Sequence, residues 1–269
     1  MVSYKDNFCG GAFDDWLEVM LIERCNGSCE WCVEKNGFHP EFHAPVAQMI
    51  EVIANDIADN IILLGGEPLL YRDMAELVNG IKEKNIYITT NGYLLTKEYI
   101  QKNLVGITGV NISIHDYDLE KSKGITGVRL VEDTLEDAIV ECRKNDISVR
   151  FNCNIIKGHI DTRSAVLAFI AWARDRGVYR VRFAELKNDK EDFISLGKIM
   201  DYEFGLNENP FTMGCNKETV INGTHVNFRQ MCGLQTECRV RPTNPKNVNE
   251  KAVLYYDGNF YSGWQSQRR

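Results

Sequence analysis

The sequence lacks any uninterrupted apolar run of about 18 residues, the length a bilayer-spanning helix demands. Its first residues, MVSYKDNFCGGAFDDW, carry neither the basic stretch nor the apolar core of an export signal. A cytoplasmic location with no membrane association is the expectation. Positive charge is in deficit as well: 31 Lys and Arg stand against 38 Asp and Glu, a formal net charge of −7. Binding to a nucleic acid polymer draws on a broad basic surface, which this composition does not supply. Internal repeats, low-complexity tracts and blocks of like charge are also missing. With 44% hydrophobic and 26% charged residues the chain is an ordinary globular one, neither disordered nor collagen-like.

A chain of 269 residues fits one or two domains, since an α/β barrel takes about 250 residues as a single unit. Nine cysteines are many for a reducing compartment, where disulfides are rare. An odd number cannot form a closed disulfide framework, so metal ligation or redox chemistry is the reading their spacing has to decide.

Short β-rich runs alternate with amphipathic stretches, the pattern of a parallel sheet with crossover helices. Strands are expected at 16–24, 60–64, 86–90, 109–114, 148–156 and 181–186. Helices are expected in AQMIEVIAND, DMAELVNGIKEK, KEYIQKN, VEDTLEDAIVECRKN and AVLAFIAWARDRG. In the fourth of these, Val131, Leu135, Ile139 and Cys142 fall on one helical face. Gly177 reads as a helix stop. Six β/α units in this span suit an open, partial (β/α)6 TIM-like barrel better than a closed eight-fold one. After about residue 195 the pattern turns irregular, which divides the chain into a core at 1–195 and a C-terminal cap at 196–269 containing a possible hairpin, VLYYDGNFYSGW.

The strongest signal is CNGSCEWC, in which Cys25, Cys29 and Cys32 form a C-x3-C-x2-C triplet directly after the first strand. Three thiolates can hold three irons of a [4Fe-4S] cluster and leave the fourth iron open to a small molecule. The competing reading is zinc, which in structural sites takes four protein ligands and favours CxxC pairs.

This triplet, with aromatic Trp31 before its last cysteine, resembles the motif of the radical SAM enzymes. The resemblance implies that S-adenosylmethionine chelates the open iron and that one electron cleaves it to a 5′-deoxyadenosyl radical, which takes hydrogen from a substrate. It also implies a flavodoxin- or ferredoxin-type electron donor. LLGGEP then places Gly65, Gly66, Glu67 and Pro68 after the second strand, where two glycines allow close backbone approach to a ligand. There the family binds the methionine ammonium, and the resemblance gives that role to Glu67. Ser113 matches a ribose contact, and Asn152 with the VRFAEL segment is similar to the pocket lining of the GTP 3′,8-cyclase branch. TTNG at 89–92 is family-like and equally an ordinary turn.

Other residues are open. His39 and His43 are ligands, substrate contacts or plain loop histidines; His115 sits two residues beyond Ser113 as a candidate substrate contact; Cys142 and Cys153 should face the core; Cys9 is unassigned. Cys215, Cys232 and Cys238 precede the hairpin. They have three readings: an auxiliary cluster as in peptide-modifying relatives, a zinc site completed by His225, or free thiols. This segment has neither the closely spaced cysteine pair nor the terminal Gly-Gly of the GTP cyclase. The reading favours modification of a peptide or protein substrate, with a nucleotide or other small metabolite as the alternative. A non-catalytic iron–sulfur or zinc module for electron transfer or partner binding is the alternative of another class.

Overall fold

The computed structural model describes residues 16–36, 39–186, 194–201, 216–229 and 252–262. Cys9, Cys215, Cys232 and Cys238 lie outside these residues, so the readings of the second cysteine group are not placed.

The six expected strands all form: β1 (Trp16–Met20), β2 (Asn60–Leu64), β3 (Asn85–Thr90), β4 (Gly109–Ser113), β5 (Ser148–Asn154) and β6 (Arg180–Ala184). Each pairs in parallel with the next. The helices are α1 (Val46–Ala54), α2 (Met74–Gly80), α3 (Lys97–Asn103), α4 (Leu119–Thr126), α5 (Glu132–Lys144), α6 (Arg163–Asp175) and α7 (Leu196–Met200). Two hairpins complete the sheet, β7 (Asn216–Ile221) with β8 (Thr224–Arg229) and β9 (Ala252–Tyr255) with β10 (Phe260–Ser262). Their inner strands run parallel to the sheet edges, β8 beside β6 and β9 beside β1. The strand order is therefore β10-β9-β1-β2-β3-β4-β5-β6-β8-β7, an open partial barrel. Although the sequence pattern breaks near residue 195, the described strands beyond it extend the core sheet at both edges.

Strand alternation decides what the sheet offers to each side. On β5 the residues Phe151 and Cys153 point into the main core, where Phe151 meets Phe169 and Trp172 of α6 at 6.4 and 5.3 Å between ring centroids. The alternate positions, Arg150, Asn152 and Asn154, line the barrel interior. Asn111 of β4, Arg182 of β6 and Asn227 of β8 are likewise buried polar residues in register with this inner face. Their neighbours Val110, Ile112, Val181, Phe183, Val226 and Phe228 belong to the core under the helices.

Local expectations change at several places, beginning with β1, which ends at Met20 rather than at residue 24. Val131 does not join the buried face of α5; it precedes the helix as its N-cap and is exposed, whereas Leu135, Ile139 and Cys142 are buried. The second helix ends at Gly80 rather than running to residue 84. Helix α4 and the β7–β8 hairpin were not anticipated. Asp118 starts α4 by accepting the backbone N–H groups of Glu120 and Lys121, and Gly127 ends it at φ +73°. The hairpin turns through Asn222 and Gly223, both at positive φ, as a two-residue Asn-Gly connection favours.

Candidate active site

The cysteine loop leaves β1 and is held from three sides. First, its opening residues lie directly on Gly65 and Gly66. The Gly66 N–H donates to the Ile22 carbonyl at 2.7 Å and the Glu67 N–H to the Arg24 carbonyl at 2.9 Å. A Cβ on Gly65 would sit 2.6 Å from the Ile22 oxygen, and one on Gly66 would collide with the carbonyl oxygens of Glu23 and Arg24. The chain's own loop thus approaches these glycines closely, and both also line the cavity described below.

Second, the end of α4 docks against the loop. The Ser28 N–H donates to the Thr126 carbonyl at 2.7 Å, and Gly127 leaves room for the Ser28 side chain. Third, Asn91 donates through Nδ2 to Asn26 Oδ1 at 2.7 Å. Lys35 closes the loop on itself by donating to the Ser28 carbonyl at 2.9 Å.

Cys25 is exposed, and Cys29 and Cys32 are half-buried. Desolvation raises the Cys25 thiol, with Glu67 and Cys32 adding to it against a hydrogen bond from Gly27. It raises Cys29 to about 11, reinforced by Cys32 and Cys25. The thiols therefore sense one another, and loading this loop with a metal has to displace protons. Among the described residues no three His, Cys, Asp or Glu side chains gather around a single-ion position. Three thiols on one loop suit a cluster that offers three irons at separate corners.

A cavity of about 460 Å³ opens beside the loop. Its wall brings together Cys25, Cys29, Cys32, Trp31, Gly65, Gly66, Glu67, Ser113, His115 and Asn152, residues that sequence reading had singled out from four separate segments. Pro68 is not on that wall; it is buried at the first position of a short 3-10 turn, Pro68–Leu70. His39 binds the Glu34 carbonyl at 2.9 Å, while His43 pairs with Glu23 at 3.2 Å and stacks on Tyr256 at 4.4 Å. Both lie off the cavity. Cys142 and Cys153 are buried in the main core, as expected.

Glu67 is the most constrained acid of the site, 1% exposed. Its Oε1 accepts from the Leu69 N–H at 3.0 Å and the Thr90 hydroxyl at 2.6 Å, and its Oε2 accepts from the Asn91 N–H at 2.8 Å. Burial raises its pKa, and these three hydrogen bonds oppose the rise. The carboxylate ties the loop after β2 to the loop after β3, and through Asn91 to the cysteine loop.

Arg150, Arg182 and Arg229 also line the cavity; the sequence reading flagged the VRFAEL segment that holds Arg182 but singled out none of the three arginines. Arg150 donates through Nε to Asn152 Oδ1 at 3.1 Å, and Arg182 through Nε to Asn227 Oδ1 at 3.1 Å. Charged residues at alternate positions of strands whose other face is wholly apolar were the available signal. The 126–128 segment, which supports the cysteine loop, carried no comparable mark.

No helix among the described residues is long and apolar enough to cross a membrane. Among curated proteins, the chain is 28% identical over 221 residues to the GTP 3′,8-cyclase of Limosilactobacillus fermentum, covering 75% of this chain and 66% of that one. It is 28% identical over 189 residues to the GTP 3′,8-cyclase of Haemophilus influenzae (strain PittEE), covering 65% and 54%. The chain thus spans between about half and two thirds of the length of these relatives. Among solved structures it superposes on Streptococcus suis SuiB with a TM-score of 0.60 at 15% identity, covering 91% of this chain and 59% of SuiB. SuiB bound to S-adenosylmethionine gives 0.52 at 21% identity, covering 65% and 40%. At such identities these likenesses speak for the fold. The description "Radical SAM superfamily" matches residues 19–180, which contain the cysteine triplet, the glycine pair, strands β2 to β5, the last two residues of β1 and the first of β6; the chain belongs to this superfamily, an enzyme family that works with a [4Fe-4S] cluster and S-adenosylmethionine.

Proposed function

We propose that Cys25, Cys29 and Cys32 hold the [4Fe-4S] cluster, that S-adenosylmethionine binds in the adjoining cavity, and that the substrate is a small anionic metabolite of nucleotide type. When bound, this pair supplies a 5′-deoxyadenosyl radical that removes a hydrogen atom from the substrate.

The observation that carries the substrate reading is the pair Arg150 and Arg182. Adjacent strands place them on the cavity wall, and an asparagine fixes each Nε. Guanidinium groups oriented in this way suit phosphate or carboxylate oxygens, which they bind by paired, charge-assisted hydrogen bonds. The GTP 3′,8-cyclase relatives carry a nucleotide in their name, which supports the same direction and moves the reading away from the peptide substrate expected at first.

The remaining roles follow from the chain's own groups. Glu67 keeps the cluster loop in place, and the one carboxylate lone-pair site left by its three hydrogen bonds is available to the methionine ammonium. Gly65 and Gly66 contribute backbone, Ser113 and Asn152 contribute polar contacts, and Trp31 contributes an aromatic wall. A flavodoxin- or ferredoxin-type protein delivers the electron. A second cluster at Cys215, Cys232 and Cys238 is part of this proposal. Its support is that Asn216, next to Cys215 in sequence, pairs with Arg229 at the carboxyl end of β8, the end of the sheet that bears the cysteine loop.

Anaerobic reconstitution with S-adenosylmethionine and dithionite tests the chemistry through 5′-deoxyadenosine formation. Calorimetry with purine and pyrimidine nucleoside triphosphates tests the substrate class. At least one is expected to bind, and Arg150→Gln should weaken it roughly ten- to hundredfold, the worth of a charged hydrogen bond. Failure of every nucleotide to bind, with a short-peptide library raising 5′-deoxyadenosine yield instead, overturns the nucleotide reading and restores the peptide one.

A further inference from the structure

His115 lies in the cavity wall, yet nothing in the proposed chemistry uses it. It follows β4 by two residues and is 6% exposed. The ring Nδ1 accepts the backbone N–H of Asn154 at 3.0 Å. An imidazole that accepts at Nδ1 carries its proton on Nε2, and no described residue pairs with that Nε2–H. Burial, with a smaller contribution from His159, lowers the pKa to about 4, so the ring is neutral near pH 7.

The surroundings define what such a donor meets. Trp31 stands edge-on to the His115 ring, 5.6 Å between centroids at 85°. Trp31 also packs on an apolar cluster separate from the main core, formed by Ile125, Ile156 and Leu186. Trp31 and Leu186 face the cavity while Ile125 and Ile156 back them. The result is an apolar patch of the cavity wall with a neutral N–H donor on its border, next to Cys32. An apolar wall with a neutral donor on its border suits a flat heteroaromatic ring that has a nitrogen acceptor on its edge. A charged group is poorly served there, because His115 offers it no charge.

We infer that His115 is a specificity-determining residue that donates its Nε2–H to a ring nitrogen of the adenine of S-adenosylmethionine. This rests on the cofactor placement proposed above.

Two substitutions separate the donor from the structural role. His115→Asn keeps an acceptor near the position of Nδ1 and removes the cavity donor. His115→Gln reaches the Nε2 position with an amide N–H and gives up the Nδ1 acceptor. On the reconstituted protein, calorimetry is expected to show S-adenosylmethionine binding weakened roughly three- to tenfold in His115→Asn, the worth of one neutral hydrogen bond. Methionine, which lacks the adenosine, should bind the variant as it binds the wild type. His115→Gln should retain S-adenosylmethionine affinity and lose thermal stability.

A second arm does not depend on the variants folding. Adenosylmethionine analogues with N1, N3 or N7 replaced by carbon are bound to the wild type, and one of the three should lose affinity by the same factor. Equal affinity of all three analogues, or an Asn variant that binds S-adenosylmethionine within twofold of the wild type, overturns the assignment. A wild type that binds methionine and S-adenosylmethionine equally also overturns it, whereas one that binds neither overturns the cofactor placement itself.

Discussion

The hydroxyl of Thr90 donates to Glu67 Oε1 at 2.6 Å, joining the turn after β2 to the end of β3 inside the protein. Because the same carboxylate also accepts from Leu69 and Asn91, Glu67 has a structural duty before any cofactor arrives. Glu67→Gln leaves one oxygen where three donors need acceptors, and its own amide adds a further donor. Stranding a buried donor costs about 1–3 kcal/mol, so the melting temperature should drop by roughly 3–10 °C. The measurement is thermal unfolding without cluster or S-adenosylmethionine. An unchanged melting temperature would confine Glu67 to direct cofactor binding.

Two glycine-to-alanine changes should have opposite signs. At Gly66 the added methyl meets the carbonyl oxygens of Glu23 and Arg24, so the loop that carries the cysteines has to shift. A loss of about 1–3 kcal/mol is expected, as for overpacking in a core, together with poorer iron uptake. At Gly124, inside α4, nothing lies within 4 Å of the new methyl. Alanine there should stabilise by about 0.5–1 kcal/mol through the helix preference alone. Urea denaturation of both variants beside the wild type checks the pair.

What could be read from the sequence was what is local. The triplet Cys25, Cys29, Cys32 stands out by its spacing and lies on the cavity wall, and β2 at Asn60–Leu64 falls where its apolar run predicts. Long-range relations could not be read in this way. Nothing near Thr126 and Gly127 in sequence shows that they brace Ser28, some 98 residues earlier. Gly65 and Gly66 stood out in the sequence, but their packing against the 22–24 backbone did not, since it depends on the path the chain takes after β1. The VRFAEL segment was flagged as a whole, but Arg150 and Arg182 were not singled out within β5 and β6; their alternation is informative only once the sheet is known to curve around an interior.

Replacing Cys25, Cys29 and Cys32 together by alanine should abolish 5′-deoxyadenosine formation and lower reconstituted iron by about four atoms per chain. The fold should persist, because none of the three thiols lies in the main hydrophobic core. Iron and sulfide analysis with circular dichroism reads both effects. Retention of all the wild-type iron by a folded triple variant would place the cluster elsewhere.

The buried His115 should also leave a mark on stability as a function of pH. Its pKa is about 4 in the folded chain against 6.5 for the free side chain, the first cause being desolvation. Between these values the unfolded chain takes up a proton that the folded chain refuses, so acid favours unfolding. The contribution is intact above pH 6.5, shrinks as pH falls, and amounts to about 2 kcal/mol of lost stability at pH 5. His115→Asn retains an acceptor for the Asn154 N–H and cannot titrate, so it serves as the reference. Guanidinium unfolding at pH 7, 6 and 5 should show the wild type losing stability faster than the variant, with the gap moving by about 2 kcal/mol in the variant's favour. Parallel losses in the two proteins across that range would mean that His115 accepts a proton in the folded state as readily as in water, and that the ring is not held neutral by its surroundings.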